Sequence, residues 1–205
     1  MTENKLEFPE LSFDEMAHTY RLNGIPVPGV SEIMEPLTGA HYGGIDDDTL
    51  TRAASRGTAI HHAIENWLAF GIDDAPPEYL GYYEAFKAWF KNEQPDFVLS
   101  ERKVYHKILR YAGTVDLLCD IRGETTLIDI KTSPKVAEML VRVQLEAYAR
   151  ALSSHGINAS VKSVLHLKKD GGCELVKLPS PDTEAYECFC GLLTLKNYLL
   201  KKGLA

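Results

Sequence analysis

Apolar Val, Ile and Leu, with Thr among them, are concentrated in two short segments, Ala112 to Ile121 and Thr126 to Thr132. That composition predicts β-strands, and Arg122-Gly123 between them predicts a tight hairpin turn. From Thr49 to Phe70 the period becomes helical, with Ala53, Gly57, Ile60, Ile64 and Trp67 forming one apolar stripe. His61 and Glu65 lie one turn apart beside that stripe, at the border of a core, where they can face a site built against a sheet.

The same reading places a hairpin at the start, Phe13 to Leu22 and Ile25 to Val30, joined by Asn23-Gly24, with Pro26 and Pro28 keeping its second strand at an edge. Pro36 to Asp48, rich in Gly and Asp, reads as a loop, and Pro77 to Lys91 as a helix that exposes much of its surface. A helix is expected from Pro134, as its first residue, to Ser154, with Val141, Leu145, Ala149 and Leu152 toward the core and Gln144 and Tyr148 on a neighbouring face. Ser160 to Lys168 and Cys173 to Leu178 are strands around Asp170-Gly-Gly172, and Pro181 to Lys201 is a closing helix. Strands in a meander followed by a crossover helix predict an α/β (α+β) fold with a mixed central sheet, helices on both faces and an N-terminal β-hairpin extension.

At 205 residues, 45% hydrophobic and 25% charged, the chain is long enough for one domain with a sizeable core. No run reaches the ~18 apolar residues of a membrane span, and Met1-Thr-Glu-Asn-Lys5 does not read as a signal peptide, so a cytoplasmic protein with no membrane partner is expected. Cys119, Cys173, Cys188 and Cys190 are too irregularly spaced for a disulfide framework or zinc ribbon, and buried free thiols are the expectation. The net charge of −7 excludes a generic positive coat for nucleic acid. A local one remains: Glu101 to Arg110 holds Arg102, Lys103, Lys107 and Arg110 against one acid. Such a strand suits a phosphodiester substrate or is simply solvated, and Arg52 and Arg56 are open between the same two roles. Tyr105, Tyr111 and Tyr148 either stack on bases or fill the core.

The hairpin carries the candidate chemistry. With Arg122-Gly123 as the loop, Ile121 faces Glu124, and counting back sets Asp116 opposite Asp129, with Cβ atoms roughly 5 Å apart. Lys131 joins their face, whereas Val115, Leu117, Ile128 and Ile130 point the other way into a core. Two carboxylates this close repel unless a cation sits between them, and Mg²⁺ or Mn²⁺, hard ions that prefer oxygen, suit the place. The plain alternative is a polar outer sheet face on which the three residues fall by chance.

Taken in order, Gly57-Thr-Ala-Ile-His61-His-Ala-Ile-Glu65, Gly113-Thr-Val-Asp116, Asp129-Ile-Lys131 and Gln144-Leu-Glu-Ala-Tyr148 resemble the RecB-like and phage-type exonuclease branch of the PD-(D/E)XK nuclease superfamily. The motifs span a little under half the chain. The resemblance implies a restriction-endonuclease-like αβββαβ core. It implies that His61, Asp116, Asp129 and the Ile130 carbonyl bind a metal and that Lys131 is the catalytic lysine. Gln144 and Tyr148 would contact DNA or hold the catalytic groups, and Glu65 and Glu101 match less strictly held acidic positions. Val115 replaces the nominal proline and Asp129 the nominal glutamate, both familiar variations. Relatives with an iron–sulfur cluster place a cysteine ahead of the His motif; none precedes His61 here, so no cluster is expected.

On this reading residues 1–205 form one nuclease domain: an extension over 1–48, a catalytic core over 49–178 and a C-terminal helix over 179–205. The function implied is a Mg²⁺- or Mn²⁺-dependent exodeoxyribonuclease acting on linear duplex or single-stranded DNA ends in recombination or repair, alongside a recombination partner protein. The alternatives are an inactive nucleic-acid-binding member of the fold and a hydrolase of RNA or another phosphodiester. Strand polarity and oligomeric state are not legible.

Overall fold

The computed structural model describes residues 7–204, so the Met1–Lys5 segment lies outside it. A small antiparallel sheet opens the fold, with β1 (Leu11–Asp14), β2 (Thr19–Leu22) and β3 (Ile25–Val27) in that order. Asn23 and Gly24, at φ 52° and 78°, make the β2–β3 turn. Both torsions are positive, as a two-residue hairpin of the twist-compatible kind requires. Phe13 to Leu22 is therefore two strands and not one: the Asp14 carboxylate accepts the Ala17 N–H and folds the chain back before Thr19.

A short helix α1 (Val30–Ile33) follows, and the stretch from Pro36 expected to be a loop instead holds most of a second helix, α2 (Glu35–Tyr42). Pro36 sits in the first turn of α2, where its missing N–H costs nothing, and Ile33 and Met34 are buried against the main core. Next come α3 (Asp47–Phe70), capped by the Asp46 side chain on the Thr49 N–H, and α4 (Leu80–Glu93). α4 is far from exposed, since Tyr82, Tyr83, Ala85, Phe86 and Trp89 are all buried.

The main sheet has the order β4 (Asp96–Tyr105), β5 (Ala112–Ile121), β6 (Glu124–Lys131), β7 (Val161–Leu167) and β8 (Cys173–Leu178). All neighbours are antiparallel except β6 and β7, which are joined through the crossover helix α5 (Glu138–Ser153). α5 starts at Glu138, so Pro134 lies in the connection and not in its first turn. The closing helix α6 is Thr183–Lys202, with Asp182 capping Ala185. The element order α3, β4, β5, β6, α5, β7 is the αβββαβ order expected, within a mixed sheet covered on both faces.

One core lies beneath α5 and α6 and includes Val115, Leu118, Leu127, Val164 and Phe189. The other lies beneath α3 and α4 and includes Leu117, Cys119, Ile128, Ile130 and Leu165. Val115 is thus on the opposite face from Leu117, contrary to the alternation argument. β4 shows the same break, with Leu99 and Val104 in one cluster. The register between the strands stays constant, Ser100 with Leu117 and Arg102 with Val115, but skips the facing pair Glu101 and Asp116. Glu101 has φ 48°. A left-handed residue interrupts the ladder there and reverses the side on which later side chains emerge, as a bulge does.

A third cluster, with Tyr20, Leu22, Val27, Tyr105 and Ala112, seats the small sheet on the ends of β4 and β5. Tyr105 and Tyr111 are core residues, their hydroxyls donating to Glu10 and the Ala147 carbonyl. Only Cys119 of the four thiols is buried; Cys173 and Cys188 are exposed and Cys190 is intermediate. No described helix is long and apolar enough to cross a membrane.

Gly81 allows the start of α4 to press on the β7–β8 turn. A Cβ there would lie 1.9 Å from the Lys169 carbonyl oxygen, a backbone atom that cannot swing aside. Gly81→Ala is expected to cost about 3 kcal/mol, or roughly 6–12 °C in Tm, measured by thermal unfolding.

Candidate metal centre

The β5–β6 hairpin has the register that the turn requires. Arg122 and Gly123 take φ 55° and 84°, Ile121 faces Glu124, and the pairing runs back to Leu117 with Ile128. One step further lie Asp116 and Asp129, but there the strands stop exchanging ladder bonds. Asp116 Oδ2 instead accepts the Ile130 N–H at 2.7 Å. The distortion at Glu101 and Asp116 opens this end of the sheet, and the helices fill the opening from both sides.

α3 supplies His61. Its Nδ1 lies 3.0 Å from Glu101 Oε1, and its Nε2 lies 3.2 Å from the Ile130 carbonyl and 3.7 Å from Asp116 Oδ2. One ligand atom each from His61, Glu101 and Asp116 falls within 4.8 Å of the others, with the Ile130 carbonyl beside them. Glu101, expected only to match a less strictly held acidic position, is therefore at the centre. Its signal in the sequence was to be the one acid in a basic strand, facing Asp116 across the ladder.

Asp129 stands differently from expectation. It is not part of that three-residue cluster but is buried beside Lys131, whose Nζ is 2.9 Å from Oδ1 and 2.8 Å from Oδ2. Only the contact with Oδ1 has hydrogen-bond geometry; Oδ2 is buried with no donor among the described residues. The Lys131 ammonium offsets the charge on Oδ2, whose lone pairs accept no hydrogen bond there and can join a metal beside the cluster. The donor set, carboxylates with a carbonyl and one imidazole, suits Mg²⁺ or Mn²⁺.

α5 closes the other side. The Tyr148 ring lies on Gly113, where a Cβ would come within 2.5 Å of Cε1, which is why the strand carries glycine three residues before Asp116. Gln144 Nε2 donates to the Tyr148 hydroxyl at 3.3 Å. Glu65 stands outside the cluster and has no hydrogen bond or ion pair among the described residues. Arg56 is close, its Nε donating to the Thr132 hydroxyl and its guanidinium over the Tyr82 ring. Arg52 is exposed and bound to Thr49, Lys103 lies over the Phe13 ring, Lys107 is in the turn after β4, and Arg102 has a buried Nε without an acceptor. The basic residues therefore do not converge on the centre as a group.

Burial dominates the electrostatics. It pushes Asp116 above the usual carboxylate range, with His61 and Lys131 opposing. It also pushes Asp129 up to about 6, against Lys131 and with repulsion from Asp116 adding to it. For Lys131 burial favours the neutral amine, but Asp129 and Asp116 outweigh it and the ammonium is held above its usual value. For His61 burial likewise opposes charge, and Asp116 with Glu101 overcomes it, raising the ring to about 9. Burial lifts the Tyr148 phenol well above its usual range.

These shifts predict how the metal-free fold responds to pH. The His61 value lies above the ordinary 6.5, so its charge stabilises fully below about pH 6.5 and that contribution, at most about 3 kcal/mol, is lost as pH rises through about 9. Asp129 acts in the same direction lower down, stability falling from about pH 4 to 6 as its disfavoured charge forms. Thermal unfolding in EDTA should show Tm falling across pH 6.5–9, and His61→Gln should flatten that fall.

No family model matches the chain, and no curated protein matches it. Among solved structures, LHK-Exo in complex with dAMP aligns at TM-score 0.42 and 13% identity over 87% of this chain and 89% of that one. SSO0001 aligns at 0.40 and 15% over 71% and 73%. The alkaline exonuclease LHK-Exo from Laribacter hongkongensis aligns at 0.32 and 16% over 74% and 86%. At such TM-scores these likenesses carry no functional conclusion.

Proposed function

We propose that the chain is a metal-dependent DNA nuclease, an exonuclease that hydrolyses phosphodiester bonds at DNA ends in phage-type recombination or repair. The observation that carries the reading is the convergence of His61, Glu101 and Asp116 beside the buried Asp129 and its Lys131 partner. His61, Glu101, Asp116, Asp129 and the Ile130 carbonyl would hold Mg²⁺ or Mn²⁺. When bound, a divalent ion supplies charge relief on the phosphoryl oxygens, activates water and stabilises the leaving alkoxide.

The remaining roles belong to the chain. Asp129 fixes the Lys131 ammonium at 2.9 Å, so that its other protons can meet a phosphoryl oxygen or orient the attacking water. Because its two carboxylate neighbours keep Lys131 charged, the geometry favours electrostatic stabilisation over proton abstraction. The Ile130 N–H orients Asp116, and Gln144 and Tyr148 wall the site on the α5 side.

The test is digestion of end-labelled linear duplex, linear single strands, closed circles and RNA with Mg²⁺ or Mn²⁺. Linear DNA is expected to shorten from its ends while circles and RNA survive, and EDTA should stop the reaction. No cleavage of any DNA under either ion would overturn the reading, and cutting of circles would replace exonuclease with endonuclease.

A further inference from the structure

Ala185, Phe189 and Leu193 turn one side of α6 to the core, and its far side meets solvent. On that far side Cys188, Gly191, Leu195 and Tyr198 follow one another at steps of three, four and three residues, which sets them in a single stripe along the helix. Cys188 is exposed, and Leu195 and Tyr198 are about half exposed. Apolar residues scattered singly over a surface are ordinary, but a stripe with this spacing is the seam of a two-helix coiled coil.

Gly191 sharpens the picture. Glycine inside a helix is unfavourable, no positive φ calls for it here, and a Cβ built on it would meet nothing within 4 Å. Nothing among the described residues of its own chain explains it, whereas the close approach of a second helix would.

Charge selects the partner and its direction. Glu184 continues the stripe toward the N-terminus of α6 and Lys202 continues it toward the C-terminus, while Glu187 and Lys201 flank it along one edge. When two copies of α6 are laid antiparallel about a two-fold axis level with Leu193, Gly191 of one copy meets Leu195 of the other and Cys188 meets Tyr198. Glu184 then faces Lys202 and Glu187 lies beside Lys201. A parallel pair would set acid against acid and base against base.

We infer that α6 is a self-association face that joins two copies of this chain in an antiparallel, two-fold dimer. The inference lies beyond the nuclease reading and does not rest on it. A single helix pair makes a small interface, so a dissociation constant on the order of 10 µM is expected.

Sedimentation equilibrium of the full chain from about 1 to about 100 µM should show a monomer–dimer equilibrium that weakens as salt is added. Leu195→Glu and Gly191→Glu should each raise the dissociation constant about tenfold or more, because a charge is then pressed against the partner's apolar seam. Gly191→Glu also exchanges a poor helix former for a good one, so its Tm at concentrations where the wild type is monomeric should not fall, which separates loss of the dimer from loss of the fold. Glu187→Lys should weaken the dimer about fivefold, and adding Lys201→Glu should restore it. The macrodipole of α6 alone would make the double reversal worse than the single one, so restoration reports contact between copies. A chain still monomeric at about 100 µM, a trimer, a dimer indifferent to Leu195→Glu and Gly191→Glu, or a double reversal no tighter than the single one overturns the inference.

Discussion

Asp116→Asn is expected to lower exonuclease activity on linear DNA by on the order of 10³-fold while leaving the metal-free protein at least as thermally stable as the wild type. The two effects have one source. Burial already disfavours the Asp116 charge in the folded chain, so removing it relieves the fold, and the asparagine oxygen can still accept the Ile130 N–H. Activity falls because the cluster of His61, Glu101 and Asp116 loses a charged ligand. Asp116 is also the largest influence raising His61, so the ring's pKa should drop from about 9, readable by NMR titration. Lys131→Ala should cost about 10²–10³-fold, and Lys131→Arg should restore part of this if the ammonium acts electrostatically. Full activity in Asp116→Asn and Lys131→Ala would remove the proposed centre.

A stability effect of the same size as that of Gly81→Ala lies under α5. Lys162 and Glu146 form an ion pair with both side chains almost fully buried, and Arg150 Nε adds a bond to Glu146 at 2.9 Å. Burial drives the Lys162 pKa down. Lys162→Met should cost about 3 kcal/mol, roughly 6–12 °C in Tm, because it leaves the buried Glu146 carboxyl with only the half-exposed Arg150 to meet it. Lys162→Met combined with Glu146→Leu should recover most of that loss, since two apolar groups need no partner. Denaturant unfolding of the single and double variants decides this, and a double variant no more stable than the single would show that the pair is not the cause.

Local rules carry far in some segments of this chain. The Arg122-Gly123 turn sets the β5–β6 register through chain connectivity alone, and α3, α5 and the crossover into β7 follow from period and composition. They mislead where a segment's conformation depends on what covers it. Gly39, Gly43 and Gly44 make 36–48 look like loop, yet α2 is helical there, with Leu37 and Tyr42 partly buried against the main core. α4 looks exposed until Tyr83 and Phe86 meet the sheet.

The candidate site divides along the same line. Spacing along the strands is a property of the chain itself and puts Asp116, Asp129 and Lys131 on one face, whereas the places of His61, Gln144 and Tyr148 are what the resemblance implies. The central place of Glu101 and the reversed face of Val115 were not legible. Glu101 adopts φ 48° only where β4 meets β5, and Asp129 is sealed from water, beside a partly exposed Lys131, only in the packed fold. Periodicity and connectivity are local and are written in the order of residues. Burial and the breaking of a ladder depend on contacts between segments far apart in the chain, and only tertiary packing supplies those.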